Sequence, residues 1–370
     1  MTSSPRVSVV VPNWNGCDLL DRCLESVRAQ TLRDLEIIVV DNGSTDGSCE
    51  HLRQHHPDVR LVALAENRGF AGGVNAGIRV ARGEYVALLN NDAWAAPDWL
   101  ERLTVRLAAE PTAGACAPKI YRADGWEPTD RLDSTGELYS IWGLPFPRGR
   151  DEIDRGQYDD AQAVFAVSGA ASVYRASLFA AVGELDPDFF AYFEDVDLSF
   201  RAQLAGFSML YEPGAVVYHR VGASSGGGMT PFSRHHFVKN SWFLFVKDMP
   251  APLVLRYLAR FLFVQLGLLW GSVRLGLLGA HAKALMRVVA SGPEMVSRRR
   301  RIQRGAVRSH QEIDRMLVRD LPPGIRRGRR LMQPLSAGGT TSSRRGTGSR
   351  SRREAPSTVE RERGDSPPSS

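Results

Sequence analysis

The sequence predicts an α/β fold with a mainly parallel central sheet and helices on both of its faces. The first half of the chain alternates short runs of β-branched residues with segments that carry the spacing of a helix, and several of these runs stop at amides or carboxylates. Strands that alternate with helices form parallel, doubly wound sheets with right-handed crossovers. Ligands of such sheets bind beyond the carboxyl ends of the strands. We therefore expect a binding site at that edge.

Four apolar runs predict the first strands, at residues 7–11, 36–40, 59–64 and 85–89. Helical spacing predicts four helices in the same half, at 18–30, 47–55, 71–81 and 97–108. Later strands are predicted at 167–174, 208–211 and 215–218, and later helices at 176–182 and 196–205. The run at 85–89 is apolar or aromatic throughout, which is typical of a strand buried on both faces of a sheet.

Residues 119–165 interrupt the regular pattern with a stretch rich in Gly, Pro, Asp and Trp. A long irregular insertion in a compact domain usually has a function. We expect this stretch to serve as a lid or as a substrate-binding loop.

The net charge of +6 is unevenly distributed over the 370 residues. From residue 298 to the end there are 19 Arg and 7 acidic residues, whereas residues 1–297 hold 28 basic and 34 acidic residues. The last 40 residues have few apolar side chains and are expected to be disordered. No aromatic residues alternate with the arginines, so nucleic-acid binding is not expected.

The four cysteines show neither a Cys-x-x-Cys spacing nor nearby histidines, which argues against a disulfide framework and a structural zinc site. They fit a reducing compartment. The apolar run at 7–11 is too short for a secretory signal. We therefore expect a cytoplasmic protein.

Residues 250–290 are apolar with a few basic side chains. The longest uncharged run, from Phe261 to Val273, has 13 residues and is short of the roughly 20 that span a bilayer. On one helix, six positions would form a narrow stripe opposite a wide apolar face: Arg256, Arg260, Gly267, Gly271, Arg274 and His281. This pattern predicts a helix in a membrane interface, and a helical hairpin packed in the core is the alternative.

Five groups of polar residues lie at predicted strand ends or in loops. They are Pro12, Asn13 and Asn15; Asp41; Asn67, Arg68, Gly69 and Asn75; Asn90, Asn91 and Asp92; and Glu194 and Asp195. A strand-end carboxylate such as Asp92 suits a hard cation with oxygen ligands. Asp41 can accept a hydrogen bond from the imide N–H of a pyrimidine. Glycines let the backbone approach a ligand, and Arg68 offers a charge to phosphate. Taken singly, Asp41 and the group at 90–92 are also compatible with simple turns, and the glycines of the third group also serve helix–sheet packing.

Acidic residues are concentrated at the start of the helix predicted near 196–205. Asp197 and Arg201 form an i,i+4 pair, which leaves Glu194 and Asp195 without a structural role. Two adjacent carboxylates can supply a base together with a residue that orients a substrate. His219 follows a short predicted strand, and a single histidine is more often structural unless a metal is already implied.

The ordered motifs VVPNWNG, VDNGSTD, NRGFAGGVNAG, LLNND, EDVDL and YH resemble those of the family 2 glycosyltransferases, in particular the bacterial rhamnosyltransferase-like branch. The resemblance covers about residues 5–240. It implies a GT-A fold, a nucleotide-diphosphate sugar donor, a divalent metal (Mg²⁺ or Mn²⁺) and inversion at the anomeric carbon.

Carried over by position, the resemblance gives each group a role. Asp41 would contact the base, and residues 67–75 would line the nucleotide pocket with Pro12, Asn13, Asn15, Asn90 and Asn91. Asp92 and His219 would bind the metal, and Asp195 would be the catalytic base with Glu194 beside it. The first position of the metal motif is Asn90 instead of Asp, so metal affinity is expected to depend on bound donor.

We therefore expect three parts: a GT-A domain at 1–245, with a nucleotide-sugar half (1–118) and an acceptor half (119–245); membrane-associated or amphipathic helices at 246–297; and a basic tail at 298–370. The expected reaction transfers a sugar, such as rhamnose from dTDP-rhamnose, to a glycan or polyprenyl-diphosphate-linked acceptor in cell-envelope polysaccharide synthesis. The protein would then act on the inner face of the plasma membrane. Alternatives are a nucleotide-sugar-binding adaptor with a degenerate site and a sugar nucleotidyltransferase.

Overall fold

The computed structural model describes residues 4–222 and 229–321. In chain order the strands are β1 (Val7–Asn13), β2 (Leu35–Asp41), β3 (Arg60–Ala63), β4 (Tyr85–Leu89), β5 (Ala93–Ala95), β6 (Ala113–Asp124), β7 (Glu127–Ser134), β8 (Glu137–Tyr139), β9 (Pro145–Pro147), β10 (Gln162–Val164), β11 (Ala171–Arg175) and β12 (Ser208–His219). The helices are α1 (Cys17–Arg28), α2 (Ser48–His55), α3 (Gly69–Ile78), α4 (Trp99–Ala109), α5 (Ala176–Val182), α6 (Glu194–Leu204), α7 (Pro231–Lys247), α8 (Ala251–Arg274), α9 (Leu278–Arg304) and α10 (His310–Met316).

The main sheet confirms the predicted α/β class. Its strand order is β10-β12-β6-β11-β4-β1-β2-β3, with β5 beside β12 and β7 beside β6. Strands β1 to β4 pair in parallel, while β11 runs antiparallel between β4 and β6. One face packs against α1, α2 and α4, and the other against α3, α5 and α6. The apolar side chains of β4 are buried on both faces, as the run at 85–89 predicts.

The sheet register determines where the polar strand ends meet. Asn13 at the end of β1 lies opposite Asp41 at the end of β2. Strand β4 pairs with the other edge of β1, so residues 90–92 follow at the same end of the sheet. Three of the five predicted groups therefore converge at the carboxyl edge of three neighbouring strands.

The stretch at 119–165 is richer in strands than the sequence suggests. It contains the second half of β6, then β7, the hairpin β8–β9, and β10. Positive φ angles at Gly125, Gly136, Gly143 and Gly149 break it into short pieces, and β7 has mostly polar residues, so no apolar alternation marks it. The strands predicted at 208–211 and 215–218 are one strand, β12, with a register shift between Glu212 and Val216.

The C-terminal helices pack on α6 and on the segment around β8 through one apolar cluster that includes residues of α6, α7, α8 and α9. The single stripe predicted over 256–281 is wrong at its end, because α8 stops at Arg274 and a turn with Gly276 at φ +68° separates it from α9, which carries His281. By length and composition α8 is the one described helix that suits a membrane crossing, and 33% of its most apolar window is buried. The arginines at 298–301 lie in α9, where Arg298 pairs with Asp186. The predicted disorder of the last 40 residues lies outside the described ranges.

Candidate active site

A chain of hydrogen bonds joins the ends of three strands. Asn91 Nδ2 donates to Asn13 Oδ1 at 2.7 Å, and Asn13 Nδ2 donates to Asp41 Oδ1 at 3.2 Å. The second Asp41 oxygen accepts from the Ser44 amide at 3.0 Å. Asn13, Asp41 and Asn91 are all buried. Buried polar groups need such partners, so this chain fixes the floor of the site.

The turn before α3 is built around Asn42, a residue that the sequence did not single out. Its Oδ1 accepts from the Arg68 amide at 2.9 Å, and its Nδ2 donates to Asn67 Oδ1 at 3.1 Å and to the Gly69 carbonyl at 2.9 Å. Asn67 Oδ1 also accepts from the Gly69 amide at 2.8 Å. The turn is thus held rigidly beside β2, while the Arg68 side chain remains 55% exposed.

Gly69 could not carry a side chain in this backbone. Its φ is +72°, and a Cβ would lie 2.4 Å from the carbonyl oxygen of Phe190. The Ala71 amide donates to the same carbonyl at 3.2 Å. The turn at residues 67–69, which is predicted to line the nucleotide pocket, therefore packs directly against the segment that leads into Glu194 and Asp195.

Three other predicted residues have mainly structural contacts. Asn15, at φ +49°, accepts from the Thr45 amide at 2.8 Å and closes the loop after β1, and Pro12 is half-buried within β1. Asn75 does not face this edge as predicted. Its amide bonds both the carbonyl and the amide of Leu185, at 2.8 and 3.0 Å, so it ties α3 to the chain before α6.

Asp92 and His219 meet at the end of β12. Strand β5 pairs with β12 so that His219 lies opposite Ala93, and the Arg220 amide donates to the Asp92 carbonyl at 2.9 Å. His219 Nε2 then lies 3.2 Å from Asp92 Oδ1. The structure therefore brings together the two residues to which the resemblance gives a metal-binding role.

Asp133 contacts the ring nitrogen of His219 that faces away from Asp92. Its Oδ2 lies 2.9 Å from His219 Nδ1, and Arg150 Nη2 lies 3.5 Å from its Oδ1. Burial lowers the pKa of His219, but the hydrogen bond to Asp133 and the charges of Asp92 and Asp133 outweigh burial and raise it to about 10. Burial alone would raise the pKa of Asp133, but Arg150 and His219 lower it to about 2. Asp133 and Arg150 belong to the stretch at 119–165, where no local sequence pattern marked them.

The residues around Asp92 fit a divalent cation. Asn90 Oδ1 is buried and has no hydrogen-bond donor among the described residues, and the buried Asp92 Oδ1 has His219 Nε2 as its partner at 3.2 Å. Unpaired buried acceptors are rare, and a hard cation with oxygen ligands would satisfy Asn90 Oδ1 and could take the place of the His219 proton beside Asp92. A neutral His219 would add a nitrogen ligand, held in orientation by Asp133.

A second cluster of metal-ligand types has another explanation. Asp21 Oδ1 lies 2.7 Å from Nε2 of both His51 and His56, between α1 and α2. Arg28 Nη2 donates to His56 Nδ1 at 2.9 Å, so the proton of neutral His56 is on Nε2 and points to Asp21. The cluster is therefore a hydrogen-bonded contact between two helices.

The two carboxylates at the start of α6 differ in access. Asp195 is half-buried, and its oxygens accept from the Gly169 and Val196 amides, each at 2.8 Å. Glu194 is buried, and no hydrogen-bond donor among the described residues reaches its Oε2. Burial raises the pKa of both groups, and the charge of Asp195 further raises that of Glu194. Asp195 is the more accessible of the two.

Strained backbone precedes these carboxylates. Phe190, Tyr192 and Phe193 have φ values of +65°, +70° and +73°, which non-glycine residues rarely adopt. Asn240 of α7 donates to the carbonyls of Phe189, Ala191 and Tyr192 at 3.1, 2.8 and 2.6 Å. Such strain persists only where surrounding contacts hold it, and it clusters at functional sites. Asn240 was missed because an asparagine inside a helix gives no sequence signal.

The loop residues Gly169 and Ala170 connect Asp195 with the group at 90–92. The Gly169 amide donates to Asp195 Oδ2, and the Ala170 carbonyl accepts from the Asn90 amide at 2.8 Å. The carboxylate at the start of α6 and the group at 90–92 therefore lie on opposite sides of one short loop. One short loop therefore links the Asp195 carboxylate to the strand end that carries Asn90.

Comparison with known proteins agrees with this geometry. Residues 8–183 match the family described as Glycosyl transferase family 2. Residues 8–183 therefore form a glycosyltransferase family 2 domain. This glycosyltransferase is 29% identical over 263 residues to N-acetylglucosaminyl-diphospho-decaprenol L-rhamnosyltransferase of Mycobacterium tuberculosis, covering 65% of this chain and 83% of the relative. It is 32% identical over 250 residues, 64% of its length, to an uncharacterized protein of Sinorhizobium fredii, of which it spans only 27%.

The fold is similar to that of solved glycosyltransferases. A mannosyltransferase from Pyrobaculum calidifontis, in complex with GDP-Man and Mn²⁺, superposes with a TM-score of 0.50 at 22% identity, over 78% of this chain and 76% of that one. The predicted GT-A fold, the enzyme class and the rhamnosyltransferase-like resemblance are therefore confirmed.

Proposed function

We propose that this glycosyltransferase transfers a sugar, with inversion, from a nucleotide-diphosphate donor to a hydroxyl of a lipid-linked or glycan acceptor. The observation that supports the proposal is the connection through Gly169 and Ala170, because these two loop residues bond Asp195 on one side and Asn90, two residues before Asp92, on the other. A base and a site for the leaving group must lie on opposite sides of the reacting carbon in a single displacement.

The donor would lie along the carboxyl edge of the sheet. Asp41 would accept a hydrogen bond from the base of the nucleotide. Arg68, whose side chain is exposed beside a fixed turn, would contact phosphate. Asp92, His219 and Asn90 would hold Mg²⁺ or Mn²⁺. When bound, the cation neutralises the charge that develops on the departing nucleoside diphosphate.

Asp195 would act as the base. It takes the proton from the acceptor hydroxyl as the oxygen bonds to the anomeric carbon and the bond from that carbon to the phosphate oxygen breaks. Burial raises the pKa of Asp195, which makes it a stronger base than an exposed aspartate. Burial and the charge of Asp195 raise the pKa of the neighbouring Glu194, which favours its neutral form and would limit the negative charge in the site. Because one displacement completes the transfer, inversion follows without an enzyme nucleophile.

The rhamnosyltransferase relative gives the most specific substrates to test. Its name describes transfer of L-rhamnose to N-acetylglucosaminyl-diphospho-decaprenol. We propose rhamnose from dTDP-rhamnose as the donor sugar here, and a polyprenyl-diphosphate-linked glycan of cell-envelope polysaccharide synthesis as the acceptor. The protein would then work in the cytoplasm, peripherally on the inner face of the plasma membrane.

The test combines purified protein, Mg²⁺ or Mn²⁺, dTDP-rhamnose and a short polyprenyl-diphosphate-linked N-acetylglucosamine, with chromatography of nucleotides and glycolipid. Formation of dTDP and a rhamnosylated lipid in equal amounts is expected. A parallel reaction contains dTTP and rhamnose 1-phosphate in place of dTDP-rhamnose, and release of pyrophosphate from this mixture would indicate a nucleotidyltransferase instead. Calorimetric titration without any nucleotide-sugar binding, metal being present, would indicate an adaptor with a degenerate site.

A further inference from the structure

One side of α8 exposes large apolar side chains in a continuous stripe. Leu255 and Leu266 are 80% and 64% exposed, and Trp270 is 60% exposed. Leu262, Phe263 and Val273 lie on the same side. At 1.5 Å per residue the stripe from 255 to 273 is about 27 Å long. A contiguous exposed apolar surface of this length on a soluble domain marks an interaction site.

Basic side chains lie beside the stripe. Arg256, Arg260 and Arg274 are along one edge of it, at about 60–120° from its centre when each residue turns by about 100°. Arg256 also pairs with Asp314 Oδ2 of α10 at 3.2 Å. Between residues 251 and 293 the sequence contains five basic residues and no acidic one. Arginine can place its charge at the headgroups while its stem covers apolar surface. The edge therefore complements an anionic surface.

The opposite side of α8 is fixed in the protein core. Tyr257 and Phe261 belong to the apolar cluster under α6 and α7, and Val264 and Leu268 pack against Leu144. Gln265 Nε2 donates to Ser241 Oγ of α7 at 3.1 Å. A helix that crossed a bilayer would have to leave these contacts. The helix can keep them only if it lies along a surface.

We propose that the exposed stripe of α8 binds in the plane of an anionic phospholipid bilayer, with the apolar side chains in the acyl boundary and the arginines at the headgroups. An interfacial helix needs these features, a large apolar face and basic residues beside it. This lipid-binding surface rests on the membrane location in the proposed function and specifies how the protein would be held there. The binding test uses neither sugar donor nor acceptor, so lipid binding and the proposed sugar transfer can fail separately.

The experiment measures co-sedimentation of the full-length protein with vesicles of phosphatidylcholine alone or with phosphatidylglycerol added. Leu255→Glu/Leu266→Glu should weaken binding to the anionic vesicles at least about tenfold, since burial of even one large apolar side chain is worth that much. Arg260→Gln/Arg274→Gln should remove most of the preference for phosphatidylglycerol, and Arg256 is left in place because it pairs with Asp314. Val105→Glu, at a 57% exposed position of α4, is the matched control and should bind like the wild type.

A second measurement does not depend on how the charge variants fold. Fluorescence of the wild type minus that of Trp270→Phe gives the Trp270 signal. Brominated lipids should quench it more strongly when the bromine is near the headgroups than near the chain ends. Quenching mainly by deep bromines would overturn the in-plane helix. Undiminished binding of Leu255→Glu/Leu266→Glu, or a wild type that dimerises through the stripe and ignores vesicles, would overturn the lipid partner.

Discussion

Gly69→Ala tests whether the nucleotide-pocket turn at residues 67–69 and the segment before Asp195 pack as one unit. The new methyl group would enter a backbone at φ +72° and lie 2.4 Å from the Phe190 carbonyl oxygen. The left-handed conformation costs a non-glycine residue about 1–2 kcal/mol. Overpacking adds about 1–3 kcal/mol, because the contact is with backbone and cannot move aside as a side-chain tip can. We expect the free energy of unfolding to fall by about 2–5 kcal/mol.

Gly47→Ala is the matched control. Gly47 also has positive φ, at +89°, but a Cβ there has nothing within 4 Å. Gly47→Ala should lower the free energy of unfolding only by the cost of the left-handed conformation, about 1–2 kcal/mol. Urea unfolding followed by circular dichroism measures both values under one set of conditions.

Activity gives the second readout of the same pair. The Phe190 carbonyl must shift by about 1 Å to relieve the contact, and a misplacement of that size can cost about 100-fold in rate. We expect kcat/KM of Gly69→Ala to fall by about that factor, and that of Gly47→Ala to remain within about threefold of the wild type. Equal losses in stability and activity for the two variants would refute the proposed coupling.

Three further predictions address other parts of the site. Asn90→Asp should lower the Kd for Mn²⁺ without donor by about tenfold, measured by electron paramagnetic resonance, because it adds a carboxylate beside Asp92; an unchanged Kd would place the cation elsewhere. Asn240→Ala should cost about 1–3 kcal/mol in urea unfolding and lower kcat more than it changes the Kd for the nucleotide-sugar, because the carbonyls of Phe189, Ala191 and Tyr192 each lose a hydrogen-bond donor. Burial and the charge of a nearby lysine lower the pKa of His236 to about 4 from about 6.5, so the unfolded chain binds more protons between these values and stability should fall as pH drops from 6.5 to 4. His236→Gln should flatten this part of the pH–stability curve, measured by urea unfolding at each pH, and an unflattened curve would contradict the role of His236.

The sequence predicts the regular parts of this protein well because their signals are local. The strand at 85–89 and the helix at 176–182 agree with the structure to the residue, since one is an unbroken apolar run and the other a short helical segment after a strand. The strand-end carboxylates Asp41 and Asp92 could be located for the same reason. A parallel sheet places such ends together whatever the details of its loops.

The features that the sequence did not reveal depend on contacts between distant segments. Asp133 is one of several acidic residues in a polar stretch, and only the pairing of β7, β6 and β12 brings it to His219. Asn75 lies in a glycine-rich motif, yet the packing of α3 turns its side chain to Leu185. The turn at Gly276 ends α8 before the apolar pattern ends, because the chain must return to pack α9 against α7.

The most direct test of the proposed mechanism is sugar transfer by Asp195→Asn, measured as glycolipid product with saturating donor and metal. The variant keeps the size of the side chain and can still bond the Gly169 loop, but it cannot take up a proton. We predict a fall in kcat of at least about 100-fold, with the Kd for donor within about threefold of the wild type. Transfer at an undiminished rate would contradict the role of Asp195 as the catalytic base.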